Sequence, residues 1–278
     1  MKLSNNTVRI LFAVIAGPLA LWMLWMGGWY RTGLLSFFVG GAMWEYARIL
    51  RVKYPASGRE PETVLPTMAA LLVWISSVGP LARFAPWRDL LVALSVVWIV
   101  LHAFRQLSRD EAFPWIAKTA SGLLYFGVWG GSLFALCAGR LAGWSSISGL
   151  LLALGVCWVG DTFAYFFGRA FGRHKLCPEL SPGKSIEGAV AAVIATTGFS
   201  IWWAPRFLGL DLPQAMILGV LLGVAGILGD LLESVLKRWA GVKDSSNMLP
   251  GHGGILDRMD SLFFVAPLLQ AALVALRH

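Results

Sequence analysis

The sequence predicts an all-α fold, a transmembrane helical bundle of about nine spanning helices. Three observations carry this. Hydrophobic residues make up 57% of the chain and charged residues only 14%, against about 25% charged in a soluble domain. The apolar residues gather into runs near the roughly 20 residues a spanning helix needs. The chain has 14 tryptophans, as expected where indoles sit at the bilayer boundary. Length alone would suggest one or two soluble domains, a prior that does not apply to helices in lipid.

The runs come in order. The first, residues 10–29, follows Lys2 and Arg9. It is too long for a signal core and ends in aromatics, so it reads as a retained helix. The others are 34–49, 64–82, 90–104, 115–138, 147–167, 189–204, 214–235 and 261–276. The second, fourth and seventh are short and fit a tilted or re-entrant helix. The stretch 54–63 is a charged loop with Pro and Gly. Stretch 106–113 is another, with Asp110 and Glu111 solvated. Residues 1–140 read as scaffold and lipid-facing helices, and 141–278 as helices carrying the polar loops. No internal repeat is visible.

Nine helices place Arg31, Arg83, Arg88, Arg140, Arg206 and Arg277 on one side and the other seventeen of the 23 Lys and Arg on the opposite side. The positive-inside rule then puts the N-terminus in the cytoplasm. The net charge of +8 reads as basic cytoplasmic loops near anionic headgroups, not as nucleic-acid binding. Cys137, Cys157 and Cys177 form no CxxC pair and no zinc spacing.

The polar residues that remain concentrate late in the chain. Asp161 lies inside the sixth run. The loop 168–188 carries Arg169, Arg173, His174, Lys175 and Lys184 among Gly, Pro and Ser, so its amides are open to an anion. Its bland reading is a basic, lipid-facing surface. Gly183-Lys184-Ser185 is no P-loop, because Pro178 stands where the first glycine is required.

Stretch 229–260 holds the densest cluster. Asp230 and Glu233 share a helix face. Glu233 has Lys237 four residues on as a partner, whereas Asp230 has no basic residue at helical spacing. An unpaired carboxylate at membrane depth is expected to be protonated or to hold a cation. Asp257 and Asp260 open the ninth helix, where simple capping competes with ligation. His252, in Pro250-Gly251-His252-Gly253-Gly254, has no second histidine at zinc spacing. One membrane face thus gathers Asp161, Asp230, Asp257 and Asp260 with several Lys and Arg. Carboxylate oxygens suit Mg²⁺, and magnesium with basic side chains is equipment for phosphate chemistry.

From Ser234 to Asp260 the chain reads S-V-L-K-R, four residues, K-D-S-S, two residues, L-P-G-H-G-G-I-L-D-R-M-D. This resembles the signature of the phosphatidate cytidylyltransferases (CDP-diacylglycerol synthases). Asp161, GRAFGRHKL and SPGKSIEG look like that family's upstream polar segments. Gly183, Lys184 and Ser185 stand where the family commonly has two basic residues and a threonine.

The resemblance implies an integral-membrane nucleotidyltransferase. It would join CTP and phosphatidate to give CDP-diacylglycerol and pyrophosphate, with Mg²⁺ and room for a second, monovalent cation. It implies Asp230, Asp257 and Asp260 as metal-site carboxylates, with Asp161 beside them. Lys237, Arg238, Lys243 and Arg258 would neutralise substrate phosphates, helped by Lys175 and Lys184. Ser181, Ser185 and His252 would add hydrogen bonds. Asp244 is either a ligand or a partner of Lys243. The active site would face the cytoplasm from a bacterial inner membrane, and a homodimer is compatible with the reading. Two alternatives remain at this point: a CTP-dependent transferase acting on another lipid acceptor, and a transporter of phosphorylated solutes.

Overall fold

The computed structural model describes residues 5–77, 85–137 and 144–276. Lys2, the end of the third apolar run, Arg83, residue 138, Arg140 and Arg277 lie outside them. Two compact units emerge. The first comprises Met1–Ala135 and Ala240–Met259, the second Leu136–Trp239 and Asp260–His278.

The first unit holds α1 (Asn5–Met26), α2 (Gly28–Lys53), α3 (Glu60–Ser77), α4 (Ala85–Gln106), α5 (Arg109–Leu123) and α6 (Gly130–Ala135). A π-helical turn, Leu124–Trp129, joins the last two. Arg51 and Lys53 end α2, where cations favour the helix dipole. Val39, Ala42, Met43, Leu50, Trp115 and Leu133 are buried. Two polar side chains in this core are paired. Tyr46 Oη–H donates to the Lys118 carbonyl at 2.8 Å, and His102 Nε2 to the Ser57 carbonyl at 2.6 Å.

The second unit holds α7 (Trp144–Phe171), α8 (Ile186–Phe207), α9 (Leu212–Ala240) and most of α10 (Leu256–Ala275). Asp211 and Gln214 form a capping box at the start of α9: the Gln214 amide donates to Asp211 Oδ1 at 2.8 Å, and the Asp211 amide to Gln214 Oε1 at 3.0 Å. Gly241, with φ 74°, stops that helix. Thr196 Oγ1–H donates to the Gly219 carbonyl at 3.2 Å. Such small-residue and hydroxyl contacts hold membrane helices together. Large apolar side chains such as Trp158, Tyr165, Phe166 and Ile194 point outward, as they should against lipid.

The all-α expectation holds, with one short hairpin added. Strands β1 (Lys175–Cys177) and β2 (Ser181–Ser185) pair antiparallel, in the stretch 168–188 expected to be a basic loop. Each apolar run falls mainly within helix. Among the described residues, four helices are long and apolar enough to cross a membrane: Ile147–Phe171, Ile186–Phe207, Leu212–Ala240 and Leu256–Ala275.

Candidate active site

In the second unit, a close helix approach gathers the acids. Gly229 on α9 faces the start of α10. A Cβ there would lie 2.7 Å from the Asp260 carbonyl oxygen and 2.9 Å from Ser261 Cα, so only glycine permits the approach. Ser261 Oγ–H donates to the Gly226 carbonyl at 3.0 Å and fixes the register. Asp230 and Glu233 share the α9 face beside this contact. As a result, carboxylate oxygens of Asp230, Glu233 and Asp260 lie within 4.8 Å of one another. Asp260 Oδ1 also accepts from the Ser261 amide at 2.7 Å.

Two lysines face these acids. Lys184 Nζ, on β2, is 2.5 Å from Asp230 Oδ2. Lys237 Nζ is 2.9 Å from Glu233 Oε2, whose side chain is only 4% exposed. Asp230 was expected to lack a partner. The correction is non-local: the hairpin supplies the lysine that helical spacing does not. Asp161, on α7, repels Asp260, as does Asp230, and Lys237 offsets part of that repulsion. Asp161, Asp230, Lys184, Ser181 and Ser185 line one cavity of about 470 Å³ between α7, α8 and α9. Four carboxylates and two lysines leave a formal charge of −2. Clustered hard oxygens with that excess fit a divalent cation such as Mg²⁺.

Other expected residues in this unit do structural work. Ser185 Oγ accepts from the Gly188 amide at 3.1 Å and caps α8. Arg238 Nε–H donates to the Leu180 carbonyl at 3.4 Å, at the hairpin turn. Lys175 is exposed, opposite Ser185 in the hairpin register.

The first unit carries the rest of the signature, built around a residue that sequence reasoning missed. Glu45 on α2 is 0% exposed. Glu45 Oε1 accepts from the Ser246 hydroxyl at 2.5 Å and the Ile255 amide at 2.8 Å. Glu45 Oε2 accepts from the Leu256 amide at 2.7 Å. The Ser245 hydroxyl sits between Glu45 Oε2, at 2.7 Å, and Asp257 Oδ2, at 2.9 Å, with one proton for the two. Asp257 Oδ2 further accepts from the Ser245 amide at 3.1 Å and the Gly254 amide at 3.0 Å. Asp257 therefore caps and braces the loop before α10. The available signal for Glu45 was a lone carboxylate inside an apolar run, the same signal that singled out Asp161.

His252 Nδ1 lies 3.3 Å from the Pro250 carbonyl oxygen. Its ring centroid is 5.5 Å from that of Phe12. Arg258 Nε–H donates to the His252 carbonyl at 2.9 Å and braces the same turn. Lys243 and Asp244 line a second cavity, within the first unit. Among the described residues no ion pair joins them.

Fold and site define a helical membrane protein with an acidic and basic polar centre beside its apolar helices. The family follows from comparison with known proteins: the chain belongs to the cytidylyltransferase family, whose profile matches residues 7–276. It is 33% identical to the phosphatidate cytidylyltransferase of Brucella melitensis, covering 96% of this chain and 93% of that one. It is 34% identical to the phosphatidate cytidylyltransferase of Pseudomonas aeruginosa, over 96% of each. Likeness to the Staphylococcus haemolyticus phosphatidate cytidylyltransferase is 34%, over 96% of this chain and 98% of that one.

Proposed function

We propose that the chain transfers the cytidylyl group of CTP to phosphatidate, releasing pyrophosphate, in phospholipid biosynthesis. The observation that carries this reading is the near full-length likeness to phosphatidate cytidylyltransferases. A lipid-phosphate oxygen attacks the α-phosphorus of CTP. The new bond is P–O, and the bond that breaks joins the α-phosphorus to the oxygen bridging to the β-phosphorus. Pyrophosphate leaves with that electron pair. Positioning and charge neutralisation carry such a step, with no covalent enzyme intermediate.

Asp230, Glu233 and Asp260 would hold magnesium, with Asp161 beside them. The ion supplies neutralisation of phosphate charge when bound. Lys184 orients Asp230 and presents positive charge at the cavity wall. Lys237 holds Glu233. Asp257 keeps the loop 245–256 in shape through Ser245 and Gly254. The carboxylate cluster and its −2 formal charge support this assignment, as does the cavity between apolar helices, which suits a lipid-borne phosphate.

All nine apolar runs span the membrane in this reading, the N-terminus is cytoplasmic, and the polar centre faces the cytoplasm. The asymmetry of Lys and Arg supports that orientation, and an inner-membrane location is part of the same reading. The test is pyrophosphate release by the detergent-purified chain, with and without phosphatidate and with magnesium or chelator. Release that needs CTP, phosphatidate and magnesium is the expected result. Release with another lipid acceptor in place of phosphatidate would overturn the choice of substrate.

A further inference from the structure

The cavity of the first unit has a volume of about 700 Å³, within the range of small-ligand sites. Two cations line it. Lys243 comes from the signature segment, and Arg48 comes from α2 in the N-terminal half. Arg48 follows Glu45 by three residues, so the two stand on neighbouring turns of one helix.

Both cations are exposed, and they differ from their basic neighbours in their partners. Nearby Arg51 is spent on Glu62 at 2.9 Å. Lys118 Nζ donates to the Tyr54 hydroxyl at 3.2 Å. Among the described residues, by contrast, neither Arg48 nor Lys243 is in an ion pair. The Arg48 guanidinium lies 4.9 Å from the Trp44 ring centroid. Stacking on an indole limits a guanidinium's freedom and leaves its N–H edges available for an oxyanion. Part of the lining is also fixed, because Glu45 holds the hydroxyls of both Ser245 and Ser246. Asp244 is the only carboxylate among the described lining residues, which gives them a formal charge of +1.

We infer that this cavity is a phosphate-binding subsite in which Arg48 and Lys243 grip a phosphate group of one substrate. The inference rests on the reaction proposed above for the choice of substrate. The binding chemistry is shared by a nucleoside triphosphate and a lipid phosphate monoester. Arg48 contributes the fork of donors, Lys243 the point charge, and Trp44 keeps the fork in place.

Calorimetric titration of the full chain in detergent tests this, with two probes. Inorganic pyrophosphate stands for the nucleotide's phosphates, and phosphatidate in mixed micelles stands for the lipid. Arg48→Gln and Lys243→Gln are each expected to weaken one and the same probe by about tenfold or more. Arg48→Lys should recover part of the loss. In turnover assays the same variants should raise KM for the matching substrate and leave kcat within about threefold. A loss confined to pyrophosphate identifies a nucleotide site, and one confined to phosphatidate identifies a lipid-headgroup site. Unchanged affinity for both probes, in Arg48→Gln protein with wild-type thermal unfolding, overturns the subsite. So does wild-type protein that binds neither. Wild-type protein that binds a probe through Arg48 yet releases no pyrophosphate from CTP would sink the proposed reaction and leave the subsite standing.

Discussion

Lys184 Nζ meets Asp230 Oδ2 at 2.5 Å, an ion pair between strand β2 and helix α9. Neither side chain is more than a third exposed, so water screens the pair only in part. Both residues line the same cavity, and the pair ties the hairpin to the acidic cluster.

Lys184→Gln and Asp230→Asn are each expected to lower pyrophosphate release by about 100-fold, the scale of losing one electrostatic group at a reacting phosphate. Residues in contact are non-additive. The double variant should therefore be no slower than the slower single variant. Steady-state rates of the four proteins check this, and a Lys184→Gln rate within threefold of wild type would sink it.

The proposed magnesium dependence is tested at the clustered carboxylates of Asp230, Glu233 and Asp260. Chelator should abolish turnover, and added Mg²⁺ should restore it. Asp260→Asn should raise the Mg²⁺ concentration for half-maximal rate by about tenfold or more. Activity that persists in chelator would remove the metal from the reaction.

Two glycines on one helix offer a matched pair of variants. A Cβ at Gly229 would crowd the Asp260 carbonyl and Ser261 Cα. Overpacking of this kind costs about 1–3 kcal/mol, so Gly229→Ala should lower the thermal midpoint and the rate together. At Gly226 the nearest atoms to a new Cβ would be 3.8 and 3.9 Å away, ordinary contact distances. Gly226→Ala should be neutral or slightly stabilising, since alanine is the better helix former by about 1 kcal/mol. Equal midpoints for the two variants would show that the α9–α10 approach does not set the site.

The helices and part of the acidic cluster, Asp230 and Asp260, were legible because their signals are local. Apolar runs of spanning length mark helices wherever they occur, and Asp230 with Glu233 declares a shared face by spacing alone. The Lys184–Asp230 pair was not legible, because it depends on how a hairpin folds onto a helix. Nor was the hairpin itself, since Gly and Pro in Ser181–Ser185 read as a loop. Glu45 was hidden for a different reason. Its four donors come from residues some two hundred positions away, and a single carboxylate in an apolar run does not name its partner.

Ser185 distinguishes a structural hydroxyl from a substrate contact. Its Oγ is occupied by the Gly188 amide at 3.1 Å, and the residue is buried. Ser185→Ala should remove the cap and cost about 1 kcal/mol of stability. Thermal unfolding should show that loss, with KM for CTP changed less than threefold. A tenfold rise in KM at an unchanged midpoint would instead make the hydroxyl a substrate ligand.

Glu45 gives the most demanding prediction, because its effect must travel through other residues. Its carboxylate accepts from the Ile255 and Leu256 amides, two donors left over at the start of α10. It also shares the Ser245 hydroxyl with Asp257. Glutamine has nearly the same shape but presents N–H donors where the site already has donors. Each buried donor left without an acceptor costs about 1–3 kcal/mol. Glu45→Gln should therefore lower the thermal midpoint and reduce turnover at least tenfold, although Glu45 lines neither cavity. Ser245→Ala removes the shared hydroxyl. If Glu45 acts on Asp257 through that hydroxyl, the double variant Glu45→Gln/Ser245→Ala should lose less than the sum of the singles. Strict additivity in the rates would mean that Glu45 holds the backbone amides alone. Wild-type stability and rate in Glu45→Gln would remove it from the argument altogether.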